Sequence, residues 1–190
     1  ISCLAAYSLV RLKYRGRDWI GRLILFSYLT PASLLFIPLS IIIAQLKLGN
    51  SLQGLIFVYL AFSTPFCTWL LMGFFRSIPI DLEESAQLDG ASRFTVFFEI
   101  VLPLARPGLA ATTLLVLILS WNEYVLALFL STRNAQTMPI LVAAMNAGEK
   151  GILWWTMCVV IILMIVPVIL MALLLQRFIA KGILLGAVKG

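Results

Sequence analysis

The chain carries eight carboxylates, and four of them, Asp81, Glu83, Glu84 and Asp89, crowd into the stretch DLEESAQLDG. Another, Glu123, stands alone in the apolar run WNEYVLALF, directly after Trp121 and Asn122. Paired carboxylates can do acid–base work, and carboxylates beside histidine or cysteine can hold a metal. Neither chemistry has its partners here. Histidine is absent, Cys3, Cys67 and Cys158 lie far apart at no metal-ligand spacing, and no nucleophile stands beside a base. The sequence therefore offers no catalytic residue and no metal site, and its cysteines suit buried structural positions. Nor is there a glycine-rich phosphate cradle ending in Gly-Lys-Ser/Thr, so no cofactor or nucleotide is expected to bind this chain.

Apolar runs set the elements that must hold these residues. With 62% hydrophobic and 12% charged residues, the chain is too apolar for the surface of a water-soluble domain. A helix needs about 20 apolar residues to cross a hydrocarbon core roughly 30 Å thick. Residues 23–46, 48–75 and 151–176 are uncharged runs of that length, and 107–132 carries the single charge of Glu123. Residues 1–10 are also uncharged and precede Arg11, Lys13, Arg15 and Arg17, the reverse of a signal peptide's order. They read as the last turns of a fifth span, and without an initiating Met an earlier helix is expected before them. The expected fold is all-α: one transmembrane helix bundle over 1–190, about four complete spans plus the end of a fifth, with a polar loop at 76–106.

Basic residues in short loops favour the cytoplasmic side. Arg11, Lys13, Arg15, Arg17, Arg22, Arg76, Arg93, Arg106, Arg177, Lys181 and Lys189 fall on one side of this topology, and only Lys47, Arg133 and Lys150 on the other. Loop 76–106 and the C-terminus are thus expected in the cytoplasm, with Trp19 and the pair Trp154 and Trp155 at opposite interfaces. Topology accounts for the net charge of +6, which leaves no call for a nucleic-acid partner. The link KLGNS at 47–51 predicts a tight hairpin turn using Gly49 and Asn50 for positive φ. A short surface helix is expected within 131–150, and kinks at Pro31, Pro38, Pro65 and Pro167.

Within loop 76–106, Asp81 and Glu84 have the spacing of a helix-capping box, and Gly90 is a natural stop. These bound a helix of about two turns over 82–89, whose face of Leu82, Ser85, Ala86 and Asp89 is smooth enough for a partner's close approach. Ser92 can cap a second helix, in which Phe94, Phe97, Phe98 and Val101 form an apolar stripe that Pro103 ends.

The order Glu84, Ser85, Ala86, Gly90, Ile100, Leu102 and Pro103 reproduces the spacing of the EAA loop of ATP-binding-cassette importer permeases, with Ser85 where the pattern usually has Ala. The chain resembles that family over its whole length. The stretches IPIDLEESAQLDGAS, VLPLARPGLA and GILLGAVKG are similar to the carbohydrate, maltose-permease-like branch. The resemblance implies a type I importer permease fold, in which helix 82–89 is a coupling helix seated in a cleft of a cytosolic ATPase subunit. Glu84, Ser85, Ala86, Asp89, Gly90, Ile100, Leu102 and Pro103 are then the docking residues. It further implies an ATPase dimer that carries ATP and Mg, a second permease subunit, an extracytoplasmic solute-binding protein, and a bacterial inner membrane.

Trp121, Asn122 and Glu123 combine an aromatic face, an amide and a carboxylate, groups able to stack on and hydrogen-bond a sugar ring in a watery path. A charge placed in a span costs at least ~2.5 kcal/mol, so something must compensate Glu123. A bond to a neighbouring helix, or a cap on a break in its own span, would compensate it equally well. Rival readings are an importer permease for another solute, such as a glycerol phosphate, an amino acid or a peptide, and an ion-coupled transporter using Glu123.

Overall fold

Apolar runs without strand alternation can satisfy their backbone inside a membrane only as helices. In the computed structural model, which describes residues 1–131, 134–146 and 154–187, every regular element is helical. In chain order these are α1 (Ser2–Arg11), α2 (Arg17–Leu29), α3 (Ala32–Gln45), α4 (Leu52–Ser77), α5 (Asp81–Leu88) and α6 (Arg93–Thr95). A π-helical stretch, Val96–Val101, follows, and then α7 (Leu102–Leu104), α8 (Arg106–Trp121), α9 (Val125–Leu130), α10 (Met138–Asn146) and α11 (Trp154–Ala187).

Two of the expected spans are single helices long and apolar enough to cross a membrane, Leu52–Ser77 and Trp154–Phe178. The other two are broken. Residues 23–46 divide between α2 and α3 at Thr30 and Pro31, where proline's missing donor and its restriction on the preceding residue stop the first helix. Residues 107–132 divide at Asn122–Tyr124, between α8 and α9. Pro38, Pro65 and Pro167, by contrast, lie within α3, α4 and α11, which continue through them. Pro103 does not end its helix either: the break falls later, at Ala105, where Arg93–Leu104 and Arg106–Trp121 meet at 71°.

The described residues form two compact units. The first contains Ile1–Phe26 and Thr64–Leu115, together with the chain from Leu173 onward. Its core is Ala6, Leu71, Phe75, Ile78, Val96, Phe97, Val101 and Ala105, which ties α1 and the end of α4 to the loop helices. Gly108 lets α8 approach α4 closely, because a Cβ there would lie 2.2 Å from Phe74 Cγ. The second unit contains Ser27–Ser63 and Val116–Ala172. In it Ile43, Val58, Leu126 and Leu130 form one cluster and Leu55, Ala127 and Ile140 another.

The hairpin turn between α3 and α4 takes its positive φ at Lys47 and Asn50, not at Gly49. Asn50 is fixed by tertiary bonds. Its amide donates to the Leu130 carbonyl at 3.1 Å, and its Oδ1 accepts from the Asn134 amide at 2.9 Å. The helix expected within 131–150 is α10; Arg133, Glu149 and Lys150 lie outside the described residues, as do the last three residues of the tail. Large apolar side chains are exposed along the spans, Phe26, Leu60, Trp155 and Leu174 among them, and lipid or protein must cover such surface.

Substitution Gly108→Ala is expected to push the Phe74 ring from its seat and cost about 1–3 kcal/mol. A lower melting temperature of the purified protein in detergent checks this, and adding Phe74→Ala should recover much of the loss.

Candidate functional site

The polar loop folds as a capped lever. Helix α5 begins at Asp81, so Asp81, Glu83 and Glu84 all fall in its first turn, where the helix dipole favours negative charge. The capping box does not form: Ile80 occupies the N-cap, and no side chain bonds the first amides. Gly90 ends the helix as expected, at φ +89. Its amide donates to the Gln87 carbonyl at 3.1 Å, and the Ala91 amide to the Ala86 carbonyl at 3.0 Å. That is the Schellman pattern, and Ala86 and Ala91 both pack against the core beneath it.

Which side of the lever faces inward is decided by one residue. Glu83 is 3% exposed, although its neighbour Glu84 is open to solvent. Glu83 Oε1 accepts from Arg11 Nε at 2.5 Å, and Glu83 Oε2 from the Tyr7 hydroxyl at 2.8 Å. Arg11 Nη2 also donates to the Ile78 carbonyl at 2.6 Å, holding the strap between α4 and α5. Tyr7 packs edge-on to Phe75 and tilted on Phe97, so aromatic walls keep water from the pair. Tyr7 and Arg11 are four residues apart on α1 and share a face. In sequence that spacing was the available sign of a buried acidic partner, and it does not say which of two adjacent glutamates is chosen.

With Glu83 and Ala86 turned inward, the outward stripe of α5 is Asp81, Glu84, Ser85 and Leu88, and Leu88 is 89% exposed. This differs from the expected face of Leu82, Ser85, Ala86 and Asp89. Leu82 and Asp89 are exposed at its edges, but Ala86 is half-buried, because burying Glu83 rotates its side of the helix into the core. The Ser85 hydroxyl donates to the Asp81 carbonyl, leaving that position low and smooth.

Ser92 caps the second segment as expected, accepting from the Thr95 amide at 3.2 Å. The apolar stripe divides, however. Phe97 and Val101 are buried, whereas Phe94 and Phe98 point outward. The cause is the π-helical stretch: its i to i+5 bonds put Val96 and Val101, both 0% exposed, on the same inward face. Ile100, Leu102 and Pro103 are half-buried, with Leu102 against the core under the lever.

In the second unit Glu123 does what a charge in a span must do. Its carboxylate accepts from the amides of Leu126 at 2.7 Å and Ala127 at 3.0 Å, capping α9, and from the Tyr59 hydroxyl at 3.2 Å. Both compensations considered from the sequence are therefore present together. Trp121 Nε1 donates to the Met164 carbonyl at 2.9 Å, one residue past the carbonyl that Pro167 leaves without its helical donor. Asn122 is exposed, with its Nδ2 returned to the Ile118 carbonyl at 2.8 Å. Tyr59, within an apolar run, carries no sequence signal of this role.

Removing one member of the Arg11–Glu83 pair strands a buried charge, so Arg11→Met or Glu83→Ala is expected to cost about 3–5 kcal/mol. At exposed Glu84, the substitution Glu84→Ala should stay within about 0.5 kcal/mol. Thermal unfolding of the variants in detergent separates the two glutamates.

The chain as a whole has counterparts among known transporters. The chain matches the model of the family described as binding-protein-dependent transport system inner membrane component over residues 1–185. It is 37% identical over 191 residues to the trehalose/maltose transport system permease protein MalG of Thermococcus litoralis, covering all of this chain and 69% of that protein. Its identity to the sulfoquinovosyl glycerol transport system permease protein SmoH of Agrobacterium fabrum is 36%, over all of this chain and 67% of that one. A solved bacterial ABC transporter involved in import of the acidic polysaccharide alginate shares the fold, at TM-score 0.75 and 26% identity over 92% of this chain and 66% of that one. The chain thus belongs to the family of binding-protein-dependent transport system inner membrane components, the permeases of ABC importers.

Proposed function

We propose that this chain is a membrane permease subunit of an ATP-driven sugar importer. It forms the translocation path with a second permease subunit, receives solute from an extracytoplasmic binding protein, and couples to a cytosolic ATPase dimer through α5. The sugar class is supported by the relatives whose names specify trehalose, maltose and sulfoquinovosyl glycerol. The orientation is supported by the arginines that flank the loop, and Glu84 then faces the cytoplasm. ATP and Mg act in the partner ATPase, and this chain catalyses no step.

The observation that carries the reading is the division of labour between adjacent glutamates. Glu83 is consumed in holding α5 to α1, while Glu84 stands exposed on a rigid surface with the small Ser85 beside it. A basic residue in a partner cleft can pair with Glu84, and Leu88 can seat in an apolar hollow. A push on α5 is then delivered to α1 through Arg11, and to the end of α4 and the start of α8 through the core that holds Phe75 and Ala105. In the path, exposed Asn122 is the group a hydroxylated solute would meet, with Trp121 and Glu123 fixing its place.

Charge reversal of the stripe by Glu84→Lys should reduce retention of the ATPase on affinity-purified permease at least tenfold, with the permease's melting temperature unchanged. Retention at the wild-type level would remove Glu84 from the docking surface.

A further inference from the structure

An open groove of about 1300 Å³ lies within the first unit, between α2, the end of α4 and the start of α8. Leu82 of α5 also lines it, but Glu84, Ser85, Leu88 and the path residues Trp121, Asn122 and Glu123 take no part in it. Its chemistry is graded along the helices. Helix α2 enters with Arg22 and has Leu25 about one turn further on, and α4 leaves with Arg76, preceded by Gly73 one turn back and Trp69 about two turns back. The guanidiniums therefore stand at the loop end of the groove, and its apolar wall runs toward the middle of the spans.

Charge at that end is uncompensated. Arg17 is paired with Asp18 at 3.3 Å, so those two cancel. Arg22 lies over the Trp19 ring at 5.7 Å, and among the described residues neither Arg22 nor Arg76 has a carboxylate in salt-bridge range. The wall is also left wide. A Cβ at Gly21 or Gly73 would meet nothing within 4 Å, so both glycines border open space.

We propose that this groove binds one anionic glycerophospholipid, its phosphate between Arg22 and Arg76 and an acyl chain along Leu25, Gly73 and Trp69. A cationic rim at the level of the headgroups above an apolar slot at the level of the tails matches the two ends of such a lipid. A soluble anion would use only the rim. A zwitterionic lipid would fill the slot but gain little from two guanidiniums. The assignment depends on the chain's membrane location alone, not on its solute or its ATPase.

Native mass spectrometry of the purified permease complex, titrated with phosphatidylglycerol or phosphatidylcholine of the same acyl chains, tests it. Two arginines near a lipid phosphate should favour the anionic lipid by roughly thirtyfold. In Arg22→Gln/Arg76→Gln that preference should fall to near parity. Gly73→Leu, which fills the slot, should lower occupancy by both lipids, and its folding is checked by an unchanged melting temperature. Equal binding of the two lipids by the wild type, a preference that survives the double substitution, or a groove filled by protein so that no lipid is retained would overturn the proposal.

Discussion

A guanidinium and a carboxylate removed from water must find each other and satisfy their remaining hydrogen-bonding groups, or the fold loses several kcal/mol. Arg11 and Glu83 meet that demand by joining the end of α1 to the first turn of α5, with Tyr7 and the Ile78 carbonyl taking up further bonds. Because a buried pair tolerates only a narrow geometry, the azimuth of α5 is fixed, and with it the side that Glu84, Ser85 and Leu88 show. Gly90 fixes the other end. The Schellman turn redirects the chain at once into the segment that carries Phe97 and Val101 under the lever. A helix so short could not hold its own shape in water, and its rigidity is borrowed from the core below.

The same logic governs the breaks in the spans. A helix interrupted inside a membrane exposes amides and carbonyls that lipid cannot satisfy. Glu123 answers the amides of α9, the Trp121 indole answers a carbonyl next to the Pro167 gap, and the Thr68 hydroxyl returns to the Thr64 carbonyl beside Pro65. Of these, Glu123 alone bonds amides that a break leaves open; Trp121 and Thr68 reinforce carbonyls close to a proline. The charge that looked like an isolated functional group is also the residue that makes a break tolerable.

Much of this was legible in the residues. Hydropathy shows the helical class and where the apolar runs lie, and the spacing from Glu84 to Pro103 marks the loop. Gly90 and Ser92 act as their residue types require. Other features were hidden for physical reasons. Glu83 and Glu84 differ only by the rotation between consecutive helical positions, so local sequence cannot say which is buried; Arg11, far away in the chain, decides it. The π-helical stretch leaves no mark in a run of apolar residues, yet it divides the expected stripe and turns Phe94 and Phe98 outward. The missing cap at Asp81 has a local cause, since the helix begins one residue early, at Asp81 itself, and Ile80 takes the N-cap position. Breaks at Pro31 and at Asn122–Tyr124 show that an apolar run of the right length need not be one straight helix.

The account stands or falls on whether the outward stripe of α5 meets the ATPase. The direct measurement is thiol protection: Leu88→Cys, in a background lacking Cys3, Cys67 and Cys158, labelled by a membrane-impermeant maleimide in inside-out vesicles with and without the ATPase subunits. Rapid labelling of the bare permease and strong protection in the complex are predicted. Labelling that the ATPase leaves unchanged, or that occurs only from the opposite side of the membrane, would contradict the account.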